Sequence, residues 1–313
     1  IFYFIQKLSW NSSSYGKLWR SDGTLAGTFA LSDADVFEGE LTTSNNTLYF
    51  IANQTGFSVA LWGSDGTIGG TGAIKALDSN AYSFTDVNGT LFFGSGNEDL
   101  YKSDGTEQGT VLVNNFPGGN SLTELTNING VLYFSVYENS YGEELWRSDG
   151  TAVGTTLVKD IDPGADSSAP VHLTNVNGTI FFFAESDGNT YELWKTDGTD
   201  AGTVFVQDAF WGLQPGTSPV SYYQQTNVNL NGLLLFRGID QTHGDELWVS
   251  NGSTPGTVLL KDIYTGVLPS SPTEFTQIDN IVYFAAQNWE EGRELWRSDG
   301  TIAGTYMVKD VNY

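Results

Sequence analysis

The 313-residue chain contains no cysteine, one methionine and two histidines. Without cysteine, disulfide bonds and thiolate metal sites are excluded. His172 and His243 lie far apart in the chain and no H-E-x-x-H motif is present, so the sequence predicts no zinc site. G-x-S-x-G and phosphate-binding glycine motifs are also missing, and the sequence therefore indicates no assigned catalytic residue.

Basic residues are scarce. Lys and Arg number 13 against 37 Asp and Glu, which gives a net charge of −24. Such a surface repels nucleic acid and anionic membranes. No apolar run is long enough to cross a bilayer, so we expect no membrane insertion. The 37 glycines and the many Ser, Thr and Asn residues are typical of a secreted β protein, and we expect an extracellular or cell-surface location.

A motif of the form x-L-W-x-S-D-G-T-x-x-G-T occurs seven times. The copies start near Lys17, Ala60, Asp99, Glu144, Glu192, Glu246 and Glu294. Successive copies are separated by 43, 39, 45, 48, 54 and 48 residues. Recurrence at spacings of this size indicates a repeat architecture in which each copy is one supersecondary unit.

Each period divides into four short β-like runs, such as "VHLTNVNG", "TIFFFAES", "YELWKTDG" and "GTVFVQDA". The first two runs meet at Asn-Gly, which favours a type I′ hairpin. No segment has a helical period. The pattern predicts an all-β, seven-bladed β-propeller of four-stranded antiparallel blades, which forms one domain over residues 1–313. The chain begins at a second strand, so the first blade is expected to be incomplete and the chain to be part of a longer one.

The repeated Asp and Trp positions are interpreted as structural, because catalysis normally needs one asymmetric constellation. The Asp or Asn side chain of the S-D-G-T motif is expected to close the turn between the third and fourth strands. The aromatic side chain before the turn is expected to pack between sheets. The turn positions are Asp22, Asp65, Asp104, Asp149, Asp197, Asn251 and Asp299, and the aromatic positions are Trp19, Trp62, Tyr101, Trp146, Trp194, Trp248 and Trp296.

These repeats resemble the ELWxxDGTxxGT repeats of secreted or surface-associated bacterial proteins, over essentially the whole chain. The motif is degraded at "DLYKSDGTEQGT" and at "ELWVSNGSTPGT". The resemblance implies an extracellular, β-propeller-like module and no catalytic residue. The turn is also similar to the sialidase Asp-box, a structural similarity that implies no sialidase activity.

Variable loops are where binding is expected. The candidate ligand-binding aromatics outside the repeat positions are Trp10, Tyr141, Phe210, Trp211, Tyr264 and Trp289. Asp160, Asp162 and Asp166 in "DIDPGAD" are candidate calcium ligands, although they do not match a full calcium-loop motif. We interpret the chain as a non-catalytic recognition, adhesion or structural-assembly module, with a glycan, a protein or a second copy as partner. The alternative is a carbohydrate-active enzyme with a pocket at the propeller axis.

Overall fold

A computed structural model describes residues 1–7, 15–37, 39, 41–54, 58–96, 99–118, 122–187, 190–208 and 226–311. Within these ranges the regular structure is β-strand, apart from one 3-10 turn at Thr254–Gly256. No helix in the described part of the chain is long and apolar enough to span a bilayer. The expected all-β fold is therefore confirmed.

Most repeats supply four strands, as the sequence predicts. The described strands are β1 (Phe2–Lys7), β2 (Tyr15–Ser21), β3 (Phe29–Ala30), β4 (Val36–Phe37), β5 (Thr42–Ser44), β6 (Thr47–Gln54), β7 (Ser58–Ser64), β8 (Thr71–Ala76), β9 (Ala81–Val87), β10 (Thr90–Ser95), β11 (Asp99–Ser103), β12 (Val111–Asn115), β13 (Thr123–Ile128), β14 (Val131–Glu138), β15 (Gly142–Ser148), β16 (Thr156–Lys159), β17 (Val171–Val176), β18 (Thr179–Glu185), β19 (Tyr191–Thr196), β20 (Val204–Asp208), β21 (Asn227–Leu230), β22 (Leu233–Asp240), β23 (Gly244–Ser250), β24 (Thr257–Lys261), β25 (Thr273–Ile278), β26 (Ile281–Asn288), β27 (Gly292–Ser298) and β28 (Tyr306–Lys309).

The strands form five four-stranded sheets and one eight-stranded sheet. The four-stranded sheets have the orders β12-β11-β10-β9, β13-β14-β15-β16, β17-β18-β19-β20, β21-β22-β23-β24 and β25-β26-β27-β28. In the eight-stranded sheet, which contains β1 to β8, β4 pairs with both β2 and β6. This strand therefore joins the first two repeats. The four-stranded antiparallel repeat is confirmed, but the expected division into seven separate blades is not seen among the described strands.

The hairpins between first and second strands have the expected backbone. Asn177 and Gly178, for example, have φ values of 53° and 90°. Positive φ at both central positions is what a type I′ turn requires. The pairs at Asn88-Gly89, Asn129-Gly130 and Asn231-Gly232 have the same signs of φ. These turns fix the register of the paired strands, which decides which side chains face each neighbouring sheet.

The turns between third and fourth strands share one hydrogen-bond pattern. In the fourth copy, the Thr151 backbone N–H and hydroxyl donate to Asp149 Oδ1 at 2.9 and 2.7 Å. The Gly154 N–H then donates to Thr151 Oγ1 at 2.9 Å. The hydroxyl of Thr151 and its N–H lower the pKa of Asp149. The structure places the other turn residues in equivalent bonds, including Asn251 with Ser253, so this seven-fold pattern has the form of a scaffold.

The described residues fall into two compact units, residues 1–139 with 146–157, and residues 140–145 with 158–313. In the second unit, Phe181 and Phe183 of one sheet pack against Leu234 and Phe236 of the next. The opposite face of the sheet that contains Leu234 and Phe236 packs against Phe284 of the last sheet. Because the inner sheets are buried on both faces, their second strands read as continuous apolar runs rather than alternating ones.

The repeat tryptophans are partly or wholly buried at these sheet contacts. Trp296 belongs to the cluster between the last two sheets, and Trp248 packs against the cluster one sheet earlier. In the first unit, Trp146 contacts Phe116 edge to face, with ring centroids 5.1 Å apart. Burial of such large side chains contributes most of the stabilisation between sheets.

Candidate functional site

The glutamate of E-L-W is buried in the third strand of several repeats. Glu144 and Glu246 are fully buried and Glu294 is 3% exposed. Each carboxylate receives hydrogen bonds from the loop that follows the fourth strand. These residues are not among those expected from the sequence to form a site, although a charged residue that recurs inside an apolar strand is a signal of a buried polar role.

Glu144 holds the loop that contains the candidate calcium ligands. Its oxygens accept from the N–H groups of Ile161 and Asp162, both at 3.2 Å, and from the Ser168 hydroxyl at 2.6 Å. Burial raises the pKa of Glu144 to about 7, while the hydrogen bonds act in the opposite direction and the charge of Asp160 adds to the rise. The loop backbone is thus fixed by a buried side chain beneath it.

Five carboxyl groups lie around this loop, and we call them the acidic cluster: Asp160, Asp162, Asp166, Glu185 and Asp187. Burial raises the pKa of Asp162, and the charges of Asp166, Asp187 and Asp160 raise it further. Burial and the charges of Asp187 and Asp162 likewise raise the pKa of Glu185. The cluster therefore favours a positively charged ligand.

The three aspartates of this loop have few partners among the described residues. Asp160 Oδ2 accepts from the Gly164 N–H at 3.2 Å, whereas its buried Oδ1 has no hydrogen-bond partner among the described atoms. Within the described ranges, Asp160, Asp162 and Asp166 form no ion pair with a basic residue. The described residues also contain no group of three or more His, Cys, Asp or Glu placed to hold a metal ion, so calcium remains a prediction.

The sixth repeat, two repeats after the one that contains Glu144, has the same loop anchor with fewer carboxylates in the loop. Glu246 accepts from the Tyr264 N–H at 3.1 Å and from the Ser270 hydroxyl at 2.7 Å. Beside it, Arg237 Nε donates to both oxygens of Asp245, at 2.8 and 2.7 Å. The loop of the sixth repeat has Tyr264 and Leu268 where the fourth has Asp162 and Asp166. Asp262, the equivalent of Asp160, also has a buried Oδ1 without a hydrogen-bond partner among the described atoms, so the two loops differ in their number of carboxylates.

Neither histidine has the environment of a catalytic base beside a nucleophile. His243 Nδ1 lies 2.8 Å from Asp240 Oδ2, and this contact raises the pKa of His243. His172 is packed edge to face on Phe183, and burial lowers its pKa. Among the described residues, no hydroxyl is hydrogen-bonded to either imidazole, so a Ser–His pair is not formed there.

The candidate aromatic ligands are spread over separate repeats. Trp289 is 81% exposed in the turn after β26, and Tyr141 is 37% exposed in the turn after β14. Tyr264 is half-buried in the loop after β24. Trp10, Phe210 and Trp211 lie outside the described residues. Tyr141, Tyr264 and Trp289 thus lie in three different repeats, and their role in ligand binding stays a prediction.

No protein-family model and no curated protein sequence matches the chain. Several solved structures are similar in fold. A puromycin hydrolase variant has a TM-score of 0.50 at 12% identity, with 96% of this chain and 51% of that chain covered. A prolyl endopeptidase has a TM-score of 0.52 at 8% identity, with 94% and 46% covered. A computationally designed protein has a TM-score of 0.46 at 15% identity, with 83% and 73% covered.

The chain thus spans about half the length of the hydrolases that it resembles. Their identities are low, so the likeness shows the fold, which is that of the β-propeller domains in these enzymes. This finding overturns the interpretation of the sequence as a non-catalytic recognition, adhesion or assembly module, and its carbohydrate-active alternative. The similar propellers occur in enzymes that are named for puromycin and for prolyl peptides.

Proposed function

We propose that this chain is the β-propeller domain of a peptide-cleaving hydrolase and that its acidic cluster binds a cationic group of the peptide. The observation that carries the proposal is the coverage of the two hydrolase matches: nearly all of this chain corresponds to about half of each enzyme. The nucleophile and its base are accordingly assigned to residues outside those that the structure describes.

The charge of the acidic cluster supports a cationic ligand. Burial and the charges of neighbouring carboxylates raise the pKa of Asp162 and of Glu185. A lysine or arginine side chain or a peptide amino terminus would relieve that repulsion. The hydrogen bonds from Ile161, Asp162 and Ser168 to the buried Glu144 carboxylate fix the loop backbone. A loop that is already ordered lowers the entropic cost of binding.

The binding part of the proposal is tested with two fluorescent pentapeptides that differ only in lysine against norleucine, which has a similar shape without the charge. We expect the lysine peptide to bind about fivefold more tightly at low salt, as a partly exposed ion pair predicts. Asp162→Asn should remove this difference, whereas Glu107→Gln, at an exposed turn of the other unit, should retain it. Equal affinity of the two peptides for the unmodified chain would contradict the proposal.

The titration should be run with calcium and again with chelator, because the same carboxylates are the calcium ligands expected from the sequence. Calcium binding that displaces the peptide would assign the acidic cluster to the metal instead.

The hydrolase part is tested on the complete product of the gene. We expect cleavage of lysine-containing peptides, with KM raised and kcat unchanged by Asp162→Asn. Failure to cleave any peptide would refute that part independently of the binding result.

A further inference from the structure

A recess of about 300 Å³ lies between the eight-stranded sheet and the sheet that contains β9. We call it the aromatic recess. Its described lining consists of aromatic and aliphatic side chains, one glycine and one amide. The side chains that line it are Phe37, Ile51, Asn80, Ala81, Tyr82 and Phe84. No charged side chain is among these described walls, so they offer no counter-charge to an ionic ligand.

The recess lies where the third repeat has a smaller side chain than other repeats. Four first strands each contain a residue with positive φ, and these residues align the repeats: Ser83, Glu124, His172 and Glu274. Two positions earlier, three of these repeats have a buried leucine or proline, at Leu122, Pro170 and Pro272. The third repeat has Ala81 there, which is half-buried. The recess therefore follows from a local change within the repeat and not from the repeat itself.

The aromatic walls of the recess are held in place by their own neighbours. Phe84 packs edge to face on Phe93, with ring centroids 5.7 Å apart. The Tyr82 ring lies against Gly94, where a Cβ would come within 2.4 Å of Tyr82 Cε2. Phe37 likewise packs edge to face on a tyrosine ring of β2. Walls that are ordered before a ligand arrives lower the entropic cost of binding.

We propose that the aromatic recess binds a neutral aromatic ring. A dry apolar cavity of about 150 Å³ takes a benzene ring. At about 300 Å³, the recess has room for a phenyl or indole ring and for the atoms that link it. Aromatic rings favour edge-to-face and offset contacts with one another, and three wall rings offer them here. The proposal goes beyond the proposed function, because the recess lies in the first unit and uses no carboxylate of the acidic cluster.

The test is an NMR titration of the chain labelled at its isoleucine methyl groups. Ile51 lines the recess, so the ring current of a bound ligand should shift its methyl resonance. Ile302, which is 66% exposed on a turn of the other unit, should not shift. For benzyl alcohol we expect a Kd on the order of 1 mM, as for other ligands of this size. Shifts of Ile302 as large as those of Ile51 would refute the site.

The aromatic character of the ligand is tested with a saturated counterpart. Cyclohexylmethanol has the shape and polarity of benzyl alcohol without the aromatic ring. It should bind about threefold more weakly, because it makes no ring–ring contact with the walls. Equal affinities of the two alcohols would refute the ligand class.

Filling the recess should abolish binding. Ala81→Leu introduces the side chain that the fourth repeat has at Leu122, and benzyl alcohol should no longer shift Ile51. Ala30→Leu enlarges a half-buried alanine of β3 in the same unit and should retain the affinity. Circular dichroism should show that both variants are folded. Unchanged binding by Ala81→Leu would refute the proposal. The unmodified chain refutes it without any variant if Ile51 does not shift at about 10 mM benzyl alcohol, tenfold above the expected Kd.

The ring can belong to a peptide side chain or to a free aromatic compound, and N-acetylphenylalaninamide distinguishes the two. Asn80 is exposed, and its amide can donate to and accept from a peptide backbone. A peptide source predicts that the capped amino acid binds more tightly than benzyl alcohol and that Asn80→Ala removes the gain. If it binds no more tightly, the ring belongs to a free compound. Either result supports the ring site and identifies its source.

Discussion

Replacement of Glu144 by glutamine should reduce the pH dependence of the stability of this protein. The side chain is fully buried, and burial raises its pKa from 4.5 to about 7 in the folded state. In the unfolded chain the carboxyl group returns to its ordinary value. Between these two pH values the folded state holds a proton that the unfolded state releases, so the free energy of unfolding falls as pH rises.

The magnitude follows from the size of the rise. Since each pKa unit corresponds to about 1.4 kcal/mol, the difference between 4.5 and about 7 corresponds to about 3 kcal/mol. This stabilisation is fully present below the unfolded pKa and is lost as pH passes through the folded value. Glu144→Gln resembles the protonated form and does not titrate. The loss of stability between pH 5 and pH 8 should therefore be smaller in the variant by up to about 3 kcal/mol.

The assay is urea unfolding at pH 5, 6, 7 and 8, with Glu290→Gln as the control at an exposed position. The control accounts for the general effect of one fewer negative charge and should retain the pH dependence of the unmodified protein. Glu246, whose pKa burial also raises to about 7, should give a similar result. If the hydrogen bonds to Glu144 outweigh burial, the carboxyl group is ionised in both states across this pH range. The unmodified protein and the variant would then show the same pH dependence, which would refute the reasoning.

Two further predictions concern a turn and a buried ion pair. A Cβ at Gly70 would overlap the Asp65 carboxylate, whereas a Cβ at Gly69 meets nothing within 4 Å. Thermal unfolding should therefore show that Gly70→Ala destabilises the protein by about 1–3 kcal/mol and that Gly69→Ala leaves its stability nearly unchanged. Arg237→Ala leaves Asp245, whose side chain is 7% exposed, buried without its cation, and urea unfolding should show a loss of about 3–5 kcal/mol. The double replacement Arg237→Met with Asp245→Leu should lose clearly less, and an equal loss would contradict the ion-pair argument.

Local turn chemistry made much of the fold predictable from the sequence. Asn-Gly at four hairpins and S-D-G-T before the fourth strand use interactions between residues two to four positions apart. Such interactions depend little on the rest of the molecule, and they repeat wherever the motif repeats. The number of strands in most repeats and their antiparallel order followed from this pattern.

The candidate site was only partly predictable. Asp160, Asp162 and Asp166 were visible as an acidic loop, but Glu185 and Asp187 join them from the end of another strand. Glu144, which anchors the loop, looked like one more repeat residue. Its role depends on burial and on donors 17 to 24 residues away, and neither can be inferred from spacing alone.

The sequence by itself determined the β class, the repeat period, the hairpin turns and the acidic surface, because each of these is set by residue types and short-range bonds. Only the tertiary structure decided that the first two repeats share a sheet, that the E-L-W glutamates are buried, and that Phe2 and Leu295 remain exposed. The physical reason is that burial is a long-range property. Equivalent residues in identical motifs differ in exposure according to whether a neighbouring sheet covers them.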